Sequence, residues 1–117
     1  MSDVIRIDKD RALELLRQVV EGREDFVYPS LVTVDCVYAH RGKPSCIVGH
    51  ALVLAGATVK RLAELDGLDD GGIRNVEVEW LALTDEAAQA FGEAQDVQDT
   101  GFTWGQALNA AVAAVPS

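Results

Sequence analysis

Residues 46–56 read CIVGHALVLAG, and this stretch organises the rest of the chain. Apart from His50, every residue in it is hydrophobic or glycine. A helix that is apolar all round has to be buried, so the segment is expected to form a central helix with the other elements around it. Gly56 stands where the left-handed residue after a helix end belongs. Pro44 cannot donate to a sheet ladder and confines any strand before it to a short arm. The helix is therefore expected to start at Ser45 or Cys46. Upstream, residues 31–39 (LVTVDCVYA) are rich in β-branched and aromatic side chains and read as a strand. His40, Arg41, Gly42 and Lys43 then form a turn, which makes the unit a short β-hairpin.

Outward from this centre the chain is punctuated by caps. Ile5 and Ile7 alternate with polar residues and suggest a short edge strand. Asp8 is a good N-cap for a helix that runs through about Glu21 and stops at Gly22, with Ala12, Leu13, Leu16, Val19 and Val20 on its apolar face. Thr58 restarts a helix that stops near Gly67, and residues 68–75 have the composition of a loop. In residues 76–83 (VEVEWLAL), Val76, Val78 and Trp80 alternate as in a strand able to pair with the hairpin. Thr84 caps a further helix, with Asp85 and Glu86 where the helix dipole favours negative charge, and Asp99-Thr100-Gly101 breaks it. Thr103 and Gln106 form a capping box for a last helix whose face is Trp104, Ala107, Leu108, Ala111 and Val115. The expected fold is α+β and predominantly helical: about five helices around a short β-hairpin or small antiparallel sheet. Residues 1–117 read as a single domain.

The 117 residues are 49% hydrophobic and 25% charged, values of a globular chain rather than a disordered one. Nineteen acidic against ten basic residues give a formal charge of −9. That balance argues against a phosphate-backbone binder and against attraction to anionic membranes. The first residues lack the pattern of a signal peptide, and no apolar run is long enough to span a bilayer. With only two cysteines, the expectation is a reduced, cytoplasmic protein.

One spacing carries chemistry: Cys36-x3-His40-x5-Cys46-x3-His50. Four potential zinc ligands lie within fifteen residues. On a helix Cys46 and His50 are one turn apart and could share a metal. In an extended strand Cys36 and His40 would be roughly 13 Å apart, too far for one ion. Alternatively, Cys46 at a helix N-terminus has the position of an activated nucleophile, with His40 or His50 as base. A Cys36–Cys46 disulfide across the hairpin is a third reading. The preferred one is plainer: two packed cysteines, a turn histidine at 40, and His50 on a partly buried helix face. Asp69-Asp70-Gly71 lacks the rest of a calcium loop, and Glu77 and Glu79 read as a solvated strand edge. There is no P-loop, dinucleotide fingerprint or nucleophile elbow, so no cofactor is expected. Trp80 and Trp104 are expected to fill core.

The segment Gly42-Lys43-Pro44-Ser45-Cys46-Ile47-Val48-Gly49-His50-Ala51-Leu52, then Gln95-Asp96, then the pattern D-x-G-x-T-W-G-x-A-L from Asp99 to Leu108, resembles small uncharacterised proteins of actinobacteria and their bacteriophages. In those proteins a helix, a short β element, a Cys-aliphatic-aliphatic-Gly helix start and a C-terminal helix follow in the same order. No catalytic residues are established for that group, and none is carried over. The resemblance implies a non-enzymatic interaction module of phage or prophage type that binds a host protein in the bacterial cytoplasm. Its contact would be the acidic surface or an exposed apolar groove, and homo-oligomerisation stays open.

Overall fold

The computed structural model describes residues 4–27, 39–40, 43–44, 46–66, 73 and 78–115. The fold is α+β, with five helices and four short strands among the described residues. β1 (Ile5–Ile7) leads directly into α1 (Lys9–Val20) through Asp8, whose Oδ1 accepts the Arg11 amide at 2.8 Å. The apolar face of α1 buries Ala12, Leu13, Leu15, Leu16, Val19 and Val20, and Gly22 turns the chain away at φ +78°. β2 (Ala39–His40) and β3 (Lys43–Pro44) pair antiparallel, Ala39 with Pro44 and His40 with Lys43. The rest of the strand expected over 31–39 lies outside the described residues.

α2 (Ile47–Leu54) begins at the Cys46 N-cap. It ends in a Schellman motif: the Ala57 amide donates to the Leu52 carbonyl and the Gly56 amide to the Val53 carbonyl, with Gly56 at φ +112°. Ile47, Val48, Gly49, Ala51 and Leu52 are buried, but His50 and Val53 are only partly buried and Leu54 is 48% exposed. The expectation of a helix buried all round therefore fails at His50 and in the last turn. α3 (Val59–Asp66) starts at Thr58, whose hydroxyl accepts the Arg61 amide. α4 (Asp85–Asp99), capped by Thr84, packs extensively on α5 (Trp104–Ala114), and α1 packs against α2, α4 and α5.

The sheet expected to be antiparallel and hairpin-centred differs in two respects. β4 (Leu81–Leu83) pairs with β1, not with the hairpin, and the pairing is parallel, with Ile5 opposite Leu81 and Ile7 opposite Leu83. Val76 lies outside the described residues, and from Val78 to Leu83 the expected strand is interrupted by a turn. Val78 bridges back to Leu81, Glu79 and Trp80 form the turn between them, and Glu79 is exposed in that turn rather than on a strand edge. Glu77 and the Asp69-Asp70-Gly71 run lie outside the described residues. The parallel pairing has a physical cause. β1 and β4 are each followed within one residue by a capped helix, so aligning the strands sends α1 and α4 off the same end. There they bury their apolar faces against each other.

Candidate functional site

Of the four residues singled out by their spacing, two are described with their side chains. Cys46 is fully buried, and its Sγ accepts the Gly49 amide at 3.4 Å, so the thiol serves as the N-cap of α2. His50 lies one turn further on, half-buried, with its ring edge-on to Trp104 at 5.4 Å between centroids. Burial lowers its pKa from the ordinary 6.5, and the positive charge of Arg23 lowers it further, so the imidazole is neutral at pH 7. The backbone of His40 is in β2, while Cys36 and the disulfide reading lie outside the described residues. Among the described residues no three or more His, Cys, Asp or Glu side chains are gathered as metal ligands.

The structure gathers a different set of residues around Trp104, the first residue of α5 and 1% exposed. Its indole Nε1 donates to Gln98 Oε1 at 3.2 Å. Phe26 meets the ring edge-on at 4.6 Å, and the Arg23 guanidinium lies 5.2 Å from the ring centre, close enough for a cation–π contact. The backbone locks the arrangement: the Trp104 amide donates to the Phe26 carbonyl at 2.8 Å and the Gly105 amide to the Glu24 carbonyl at 3.0 Å. Val27 bridges to Thr103 in antiparallel register. A Cβ at position 105 would come within 3.0 Å of the Glu24 carbonyl oxygen, so glycine is what lets the two segments close.

This clip leaves apolar surface in water. Phe26, Val27 and Phe102 are 41%, 48% and 47% exposed, three of the five large hydrophobics exposed among the described residues. Phe102 is held beside the clip by a second Schellman motif, its amide donating to the Val97 carbonyl and that of Gly101 to Gln98. The backbone is therefore ordered while the side chains lack cover, an arrangement suited to contact with another molecule. Sequence reasoning placed Trp104 in the core correctly, but missed Arg23, Phe26 and Val27. The available signal was an apolar pair directly after the charged run Arg23-Glu24-Asp25, beyond a helix stop and without periodicity. Trp80, the other expected core tryptophan, is half-buried, with the Arg61 guanidinium 5.3 Å from its ring centre.

A shallow cleft of about 340 Å³ opens at the ends of β1 and β4, lined by Arg6, Asp8, Arg11 and Thr84 among others. The N-termini of α1 and α4 meet there, but Asp8 and Thr84 already cap them and Arg11 is paired with Glu14. No helix among the described residues is long and apolar enough to cross a membrane. Compared with protein-family models, with curated proteins and with solved structures, the chain matches none.

Proposed function

We propose that this chain is a non-enzymatic protein-interaction module of phage or prophage type, binding a host protein in the bacterial cytoplasm. The observation that carries the reading is that Phe26 and Phe102 stand exposed on either side of the Val27–Thr103 bridge, on a clip closed by backbone hydrogen bonds. Large apolar side chains left in water are costly unless a partner covers them, and aromatic side chains often anchor interfaces. The resemblance to small phage-type proteins supplies the context.

The test is affinity capture from an actinobacterial lysate with wild type and F102S, followed by reconstitution of the binary complex from purified components. A complex that F102S weakens by about tenfold or more is expected, as for loss of an interface anchor. Equal affinity for wild type and F102S would remove this surface as the contact.

A further inference from the structure

Three groups close on the ring of Trp104: Phe26 at 4.6 Å and His50 at 5.4 Å between ring centroids, and the Arg23 guanidinium 5.2 Å from the ring centre. They come from two different parts of the fold. His50 belongs to α2, whose neighbours Ile47, Val48, Ala51 and Leu52 pack into the core. Arg23 and Phe26 belong to residues 21–27, all of them exposed. That segment leaves α1 through Gly22, at φ +78°. It is fastened to the start of α5 by the Trp104 and Gly105 amides, which donate to the Phe26 and Glu24 carbonyls, and by the Val27–Thr103 bridge. An exposed segment held by so few backbone bonds can open while the core stays folded.

The imidazole and the guanidinium sit against one indole, so a proton on His50 places a second positive charge beside Arg23. Burial first and the Arg23 charge second hold the pKa of His50 below 6.5. Lifting the clip takes the Arg23 charge away. The open form then holds the proton more tightly than the closed form, so acid favours opening. Among the described residues Arg23 is the charge that acts on this ring. Other charges belong to the elements packed on α2 and to the clip. Lys43 is in β3 and Arg17 in the last turn of α1, while the Arg61 guanidinium of α3 lies over Trp80. Asp99 of α4 accepts from Gln98, and Glu24 accepts from the Gly22 amide.

We propose that residues 21–27 form an acid-released clip: protonation of His50 loosens their hold on the start of α5 and opens the Trp104 ring to solvent, while the helical core stays closed. The device stands on the geometry around Trp104 and is independent of what the exposed aromatic residues bind.

The test is amide hydrogen exchange of the full chain by NMR at about pH 7.5 and about pH 5.5, corrected for intrinsic rates, with Leu16 and Ala90 as reporters of the core. Trp104 and Gly105 are expected to be protected about tenfold or more less than Leu16 and Ala90 at both pH values. They are also expected to lose about threefold in protection between the higher and the lower pH. H50Q is expected to hold their protection constant between the two. R23Q, which changes an exposed side chain, is expected to do the same, while Leu16 and Ala90 still lose protection on acidification because His50 remains buried. Protection of Trp104 and Gly105 equal to that of the core at both pH values would mean that the clip opens only with the whole fold, and would overturn the proposal. Protection at the two amides indifferent to pH in wild type would overturn it as well. A pH dependence there that survives in R23Q would assign the trigger to another group and overturn it too.

Discussion

The side-chain carbonyl of Gln98, in the last turn of α4, lies 2.7 Å from the backbone amide of Ile47 and so caps the start of α2 from 51 positions away. The first amides of a helix have no partner within the helix, and here the start of the helix is buried. Cys46 meets one of those amides, Gly49, and Gln98 meets another. The same oxygen also accepts the Trp104 indole, while Gln98 Nε2 donates to Asp99 Oδ1 at 2.8 Å. One fully buried amide side chain therefore ties α2, α4 and α5 together.

Gln98→Leu keeps the size of the side chain but leaves the Ile47 amide and the Trp104 indole without this acceptor. We expect a loss of about 3 kcal/mol in urea unfolding, in line with the cost of stranding buried donors. A loss below about 0.5 kcal/mol would mean that water or another group takes over the role.

Leu52 and Leu54 lie two positions apart on α2, the first fully buried and the second 48% exposed. Leu52→Ala should cost about 2–5 kcal/mol through lost burial and the cavity left behind. Leu54→Ala should stay within about 0.5 kcal/mol of wild type. Equal losses would show that the end of α2 is covered, contrary to the structure.

Gly105→Ala sets two effects against each other. Alanine favours a helix by up to about 1 kcal/mol over glycine. The new Cβ, however, would sit 3.0 Å from the Glu24 carbonyl oxygen and 3.3 Å from its Cβ, and crowding of this kind costs about 1–3 kcal/mol. We expect a net loss of stability, with faster hydrogen exchange at the Trp104 and Gly105 amides as the clip opens. A raised melting temperature would show that the clip yields without cost.

His50 makes stability depend on pH in a definite direction. Its folded pKa lies below the 6.5 of an ordinary histidine, because burial and then Arg23 disfavour the charged ring. Between the folded and unfolded values the unfolded chain binds the extra proton, so this contribution is complete above about pH 6.5 and is lost as the pH falls below it. His50→Gln removes the term. The stability difference between wild type and H50Q should therefore shrink from about pH 7.5 to about pH 5.5. A difference that grows on acidification would reverse the assigned direction.

Where most helices start and stop was legible in the residues alone. Asp8, Thr58, Thr84, Thr103 with Gln106, Gly22 and Gly56 all act as they read, because a cap joins groups only a few positions apart and needs no other element in place. The apolar faces of α1 and α5 followed from the same short-range periodicity, and with them the α+β, mainly helical class. The partner of β4, the cap that Gln98 gives α2, and the clip of residues 24–27 on the start of α5 depend instead on how distant elements pack. Three-residue strands such as IRI and LAL carry too little pattern to name a partner or a direction. Parallel pairing became favourable once α1 and α4 could bury their faces together. The candidate site was legible only in Trp104. Phe26 and Phe102 stand 76 positions apart, and what brings them to either side of one bridge is backbone hydrogen bonding that any residue except proline can supply.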